Sequence, residues 1–302
     1  MKLIPENTKA FLYAVAAVLL WSTVATAFKL SLKGMNYIQL LFYASFTSSV
    51  VLFLIALRNS RKQLSMLFQG ENIKRNLLLG FINPFLYYLV LFKAYSLLPA
   101  QEAQALNYTW PIAIAVFASL FLKHKLTVKT LTGLIISFAG VLIISTRGKI
   151  FSLEFHNLYG VILATGSSLI WATFWILNLK DERDSSVKLF AAFLTGCIYS
   201  GIYILLFDSF EIKDATFLLG AVYVGLFEMG ITFFLWMKGL QLSKDKAKTS
   251  TLAYLSPFIS LIFIALILNE KILPSSIIGL IFIIGGILYQ HIEISNKPVK
   301  ES

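Results

Sequence analysis

The chain has 302 residues, of which 58% are hydrophobic, 15% aromatic and only 14% charged, and it carries a formal net charge of +11. A composition so apolar and so poor in charge lies outside the range of ordinary soluble domains and reads as an all-α integral membrane protein. The single cysteine, Cys197, excludes an intrachain disulfide.

Ten apolar segments follow one another at 10–31, 37–57, 76–97, 99–122, 128–146, 157–179, 187–207, 215–239, 249–268 and 273–292. Each is about 20 residues long, enough for a helix to cross a hydrocarbon core of about 30 Å. The connections leave no room for a soluble domain. Placing the amino terminus in the cytoplasm puts Lys2 and Lys9 inside. Arg58, Arg61, Lys62, Lys74 and Arg75 follow there, then Lys123, Lys125 and Lys129, then Lys180, Arg183 and Lys188. Lys238, Lys244, Lys246 and Lys248, and finally Lys297 and Lys300, complete the set. The outer loops keep Lys33, Arg147, Lys149, Lys213 and Lys271. This bias predicts that both termini are cytoplasmic and reads the net charge as orientation, with no nucleic-acid partner. Lys9 and the apolar run ending in Ala25-Thr26-Ala27 look like a secretory signal. That segment is repeated later in the chain and is expected to stay.

The first segment carries Trp21 and Ser22 near its centre and Lys29 near its outer end. The third carries Asn83, Tyr87 and Tyr88. In the fourth, Glu102 lies near the outer end and Asn107-Tyr108-Thr109-Trp110-Pro111 interrupts a greasy run. Asn107 and Trp110, three apart, share a helix face. The sixth stacks Trp171, Trp175 and Asn178 at spacings of four and three; the eighth places Glu228, Thr232 and Trp236 at steps of four. These stripes describe a central cavity with aromatic walls and a few polar groups. Tyr37, Tyr159 and Tyr289 lie at segment ends and read as interfacial anchors. Pro111 and Pro257 are expected to kink their helices and to free the carbonyls of Asn107 and Ala253, which then need another donor. Glu228 at mid-span is a functional candidate by its cost alone. It reads as a proton carrier, a partner for a substrate amine, or a structural acid hydrogen-bonded to Tyr or Thr. Lys29 and Glu102 are candidates for a gate or for a contact to a zwitterion, or they snorkel to water. Glu270 reads as a loop or packing residue.

The chain also repeats itself. Leu131 to Ile143 matches Ile277 to Tyr289 at an offset of 146, aligning Gly133 with Gly279 and Gly140 with Gly286. Pro111 falls on Pro257 at the same offset, Gly80-Phe-Ile-Asn83 on Gly225-Leu-Phe-Glu228 at 145, and Leu20-Trp21 on Ile170-Trp171 at 150. Two five-helix repeats, 1–150 and 151–302, are therefore expected. Five is odd, so the second repeat is inverted in the membrane, the arrangement that supports alternating access. The glycines of segments five and ten allow close helix approach, which suits a monomer or a homodimer.

These residues together resemble the ten-helix branch of the drug/metabolite transporter superfamily, with two EamA-type repeats. The matching elements are Leu20-Trp21-Ser22 with Lys29, Ala103 to Pro111, Phe121 to Leu126, Gly133 to Gly140, Tyr254 to Pro257, and Leu268 to Lys271. Asn107 to Pro111 is similar to the Asn-Tyr-x-Trp-Pro motif of exporters of the aromatic amino-acid type. The family pattern places Gly-Glu at the end of each half's fourth helix. Asn269-Glu270 keeps only the acid, and Lys123-His124 lacks both. The resemblance implies a permease in a bacterial-type inner (plasma) membrane, exporting small amphipathic metabolites, with amino acids, aromatic ones included, as the first expectation. Uptake or efflux of amines, purines or other metabolites is the alternative, and protons are a candidate partner. His124, His156 and His291 all lie at segment ends, and neither HExxH nor GxSxG occurs. No enzyme, metal or cofactor is therefore expected. A channel or membrane scaffold is the outside reading.

Overall fold

The computed structural model describes residues 5–122, 128–152, 155–178, 181–212, 214–244, 249 and 251–291. Lys2, Lys180, Lys213, Lys246, Lys248, Lys297, Lys300 and the Lys123 to Leu126 part of the family motif lie outside them. Every regular element among the described residues is helical. The first half runs α1 (Glu6–Ser31), α2 (Tyr37–Leu64), α3 (Gly70–Gly80), α4 (Tyr87–Leu97), α5 (Ala100–Asn107), α6 (Trp110–Leu122) and α7 (Val128–Ser145). The second runs α8 (Leu158–Asn178), α9 (Ser185–Phe207), α10 (Thr216–Val224), α11 (Ile231–Leu242), α12 (Ser256–Leu268) and α13 (Pro274–His291).

Among the described residues, seven helical stretches are long and apolar enough to cross a membrane, and two shorter apolar stretches, Leu131–Ser145 and Pro274–Tyr289, lie in α7 and α13. The protein is a multi-pass membrane protein. The expected fourth segment divides into α5 and α6. Large apolar side chains such as Phe46, Ile135, Phe138 and Leu205 point outward, while Ser, Thr, Asn and Gln side chains are buried between helices. That distribution suits a lipid solvent.

Local chemistry sets the helix ends. Asn36 opens α2 with a reciprocal cap: its Oδ1 accepts from the Ile38 and Gln39 amides, and Gln39 Oε1 accepts from the Asn36 amide at 3.0 Å. Asp184 caps α9 through the Ser186 amide at 2.9 Å. At the end of α7 the chain turns left-handed through Arg147 (φ 51°) and Gly148 (φ 84°), whose amide returns to the Ile143 carbonyl.

Part of the helix contacts interchange when the halves are exchanged. α1 packs on α11 and α12, and correspondingly α8 packs on α4 and α6; α1 also packs on α10 and α8 on α5, which are not counterparts. α2 pairs with α9, and α7 with α13. The last pair is the closest, because a Cβ on Gly140 would run into the Gly279 carbonyl and one on Gly286 into the Gly133 carbonyl.

Candidate functional site

Four breaks in helical backbone converge on the middle of the molecule. Between α3 and α4 a π-helical turn covers Phe81–Leu86, where Pro84 lacks an N–H and Asn83 is extended (φ −146°, ψ 123°). Between α10 and α11 a second π turn covers Gly225–Gly230 and has no proline; Gly230 takes the off-helix conformation instead (φ −103°, ψ −92°). Tyr88, at the start of α4 just after the first turn, donates its hydroxyl to Glu228 Oε1 in the second turn at 3.0 Å.

The other two breaks precede Pro111 and Pro257. The expected kinks are complete interruptions. α5 ends at Asn107 and α6 begins at Trp110; a 3₁₀ turn over Thr251–Leu255 precedes α12. Each proline is the second residue of a new helix, where its missing N–H costs no intrahelical bond. The carbonyl that Pro257 frees, Ala253 O, receives the Tyr108 hydroxyl at 3.4 Å. Thr109 Oγ1 donates to Leu106 O at 2.8 Å, which helps to hold the α5–α6 interruption.

A cavity of about 310 Å³ lies among these breaks. Trp21, Tyr87, Asn107, Tyr108, Trp110, Trp171, Trp175 and Glu228, all expected at a binding site, stand on its wall. Val24, Phe28, Leu91, Tyr95, Gln104, Ile114, Ile176, Phe233, Trp236, Leu240 and Ala253 complete it. The rings touch in sequence: Tyr87 to Trp171 at 4.7 Å between centroids, Trp171 to Phe233 at 5.6 Å, Phe233 to Trp21 at 5.9 Å and Trp21 to Trp236 at 5.3 Å. Asn107 is held by Tyr87 Oη, which donates to its Oδ1 at 3.3 Å, and by its own Nδ2, which donates to Ser167 Oγ at 2.8 Å.

Four expected contact residues stand off the wall. Tyr88 is fully buried behind it and positions Glu228. Thr232 bonds back to the Phe227 carbonyl inside the π turn. Asn83 is fully buried, and neither amide atom has a partner among the described residues. Asn178, the last described residue of α8, is buried off the wall, and its carbonyl accepts from the Asp181 amide at 3.2 Å. Gln104 was not singled out in the sequence, although it lies one turn before Asn107 on the same face.

One end of the cavity is sealed by polar groups. Lys29 does not snorkel: its Nζ donates to the Tyr95 and Leu98 carbonyls at 2.8 and 2.9 Å, capping α4. Glu102, expected near water, is 1% exposed and accepts from Arg147 Nε at 2.7 Å. Glu270 caps α5 by accepting the Ala100 amide at 3.1 Å. Gln101 donates to Lys271 O at 3.0 Å and accepts from the Leu273 amide at 2.9 Å. Phe28 and Tyr95 meet edge to face beneath this layer at 5.1 Å, and α5 is buried from Ala100 to Leu106.

At the opposite end a second charge cluster joins α3 to the connection before α9. Arg183 forks onto Asp181, with Nη2 to Oδ2 at 2.6 Å and Nε to Oδ1 at 2.9 Å, and also donates to Asn76 Oδ1 at 2.8 Å. Burial pushes the Asp181 carboxyl up, but the Arg183 side-chain and backbone bonds outweigh it and hold the group below the usual carboxylate range. Gln63 Oε1 accepts the Asp184 amide at 2.8 Å.

Among known proteins, the model of the EamA-like transporter family matches residues 8–146 and 158–289. The chain is 27% identical over 296 residues to the uncharacterized transporter YvbV of Bacillus subtilis (strain 168), covering 95% of this chain and 92% of that protein. It is 25% identical over 256 residues to the aromatic amino acid exporter YddG of Ancylobacter novellus, covering 84% and 87%. A crystal structure with 22% identity superposes with a TM-score of 0.67 over 94% of this chain and 96% of the other, a likeness of fold.

Proposed function

The chain belongs to the EamA-like transporter family, and from that premise we propose that the cavity is the cargo site of an alternating-access carrier. Two inverted five-helix repeats, 1–150 and 151–302, form its ten spans, with both termini cytoplasmic. In this orientation the sealed end is the outer one, and Lys29 and Glu102 belong to its gate. The cargo is a small amphipathic metabolite, moved outward, with aromatic amino acids and the related amines as the candidates. A single chain encloses the cavity, so a monomer suffices.

The observation that carries this reading is the meeting of four helix breaks, two from each half, around one aromatic cavity closed at one end. Broken helices at corresponding positions of two halves are the usual setting of a carrier's midplane site. The breaks free backbone groups only where protein or a cavity can satisfy them. The exchange-related contacts of α1 and α8, and the self-paired α2–α9 and α7–α13, support the inverted relation. The rings offer stacking to a flat cargo, and Asn107, Gln104 and Glu228 offer polar contacts.

The test is counterflow. Purified protein in liposomes preloaded with unlabelled phenylalanine should accumulate labelled phenylalanine transiently, at rates that saturate. Sustained unitary currents across a planar bilayer would instead support a channel and end the carrier reading. Repeating counterflow across a pH gradient tests proton carriage by Glu228: uptake that ignores the gradient excludes it.

A further inference from the structure

Resting on the carrier reading, we propose that the cavity recognises the ammonium group of its cargo and holds no cationic counterpart for a carboxylate, so that organic amines are preferred over amino acids of the same ring. Among the described residues lining the cavity Glu228 is the one charged side chain, and no described Lys, Arg or His stands on its wall. Glu228 Oε1 is occupied by the Tyr88 hydroxyl, while Oε2 is buried without a partner among the described residues. Gln104 Oε1, a second oxygen on a wall residue, is likewise buried without a partner. Unpartnered buried acceptors are costly and gain most from an incoming N–H donor.

Three of the wall's donors are already committed, and its other donors, the indole N–H groups and the Gln104 amide among them, are neutral. Asn107 Nδ2 is spent on Ser167, the Tyr87 hydroxyl on Asn107, and the Tyr108 hydroxyl on the Ala253 carbonyl. A cargo carboxylate would enter a site with free acceptors and a like charge, which disfavours it. A cargo ammonium finds the opposite sign on Glu228 and ring faces from Trp21, Trp171 and Trp236, each able to hold a cation over its π system. The site therefore discriminates by charge at one end of the cargo and by shape at the other.

Three compounds with one ring separate the possibilities: 2-phenylethylamine, phenylalanine and 3-phenylpropionate, tested on the full chain by thermal shift and by counterflow. The amine should raise the melting temperature at a concentration roughly tenfold below that needed for phenylalanine, and phenylpropionate should produce no shift. Glu228→Gln should weaken the amine about 10- to 100-fold. Gln104→Leu should weaken it less, and it tests the site independently should the first variant not fold. Phenylalanine or phenylpropionate binding as tightly as the amine overturns the proposal, as does absence of binding by all three. Counterflow of any of the three keeps the carrier reading alive even when the amine preference fails. Binding of the amine without counterflow of any compound removes the carrier reading and leaves the preference standing.

Discussion

The two charge clusters use the same ingredients, a buried carboxylate and an arginine, in different places. Glu102 and Arg147 join α5 to the end of α7, directly over a cavity whose wall includes residues of α1, α4, α5, α6, α8 and α11. Asp181 and Arg183, with Asn76, join α3 to the start of α9, and neither α2, α3 nor α9 contributes a residue to that wall. On the proposed carrier reading the first cluster sits where helices separate to admit cargo, and the second staples elements that move as one body. What a buried ion pair does depends on which helices it ties, and its strength alone does not reveal that.

Substitution separates the two roles. Arg183→Ala should have the largest effect on stability, about 3–5 kcal/mol, because Asp181 is left charged and buried with Arg75 3.8 Å away and 40% exposed. A melting curve should record that loss, while access to the cavity stays unchanged. Arg147→Ala should cost less in melting, about 1.5–3 kcal/mol, since the Arg147 side chain is 35% exposed and water replaces part of what it gives. Its larger signature is in conformation. A cysteine at position 104 should become more reactive toward a membrane-impermeant reagent applied from the Arg147 side. If Arg147→Ala only melts the protein and Arg183→Ala opens the cavity, the roles are reversed.

Tyr108→Phe should cost about 0.5–1 kcal/mol, because a 3.4 Å bond to the Ala253 carbonyl is long. It should alter transport more than melting, since that bond links the breaks before Pro111 and Pro257. The gentlest probe is acid. The Asp181 carboxyl lies below its ordinary value in the folded chain, so its contribution is complete above an unfolded pKa of about 3.9. It is lost as pH falls through the folded value. Wild type should lose stability faster than Asp181→Asn below about pH 4, and parallel acid curves would contradict that assignment.

Much of the fold was legible because lipid imposes a simple code. The expected segment 157–179 became Leu158–Asn178, and 99–122 became the Ala100–Leu122 pair of helices. The segment 37–57 became Tyr37–Leu64, because apolarity marks what lies in the bilayer and helical structure resumes past it after a kink at Ser60 (φ −147°, ψ 39°). The break at Pro84 was not read, although the proline was visible. Position 84 aligns with Met229, so no matched proline drew attention, and the second half breaks at Gly230 by a different chemistry. Periodicity found Trp21, Trp171 and Glu228 on the wall but carried Asn178 with them, since a stripe does not say how far along its helix the cavity reaches. Glu270 and Gln101 were unreadable as a seal because they act on backbone groups about 170 residues away. In sequence, Glu102 and Arg147 correspond at the 146-residue offset to Lys248 and Glu293, opposite charges in reversed order. Those two positions lie outside the described residues.

The most direct test is the accessibility of the cavity itself. With Cys197→Ser removing the single native thiol, Asn107→Cys would be labelled with an impermeant thiol reagent from each side of the membrane in turn. An alternating-access carrier predicts labelling from the side opposite Arg147 at rest, and a shift of that access when cargo is supplied across the membrane. A thiol that stays unreactive from both sides in every condition, or reacts from both sides at once, would contradict it.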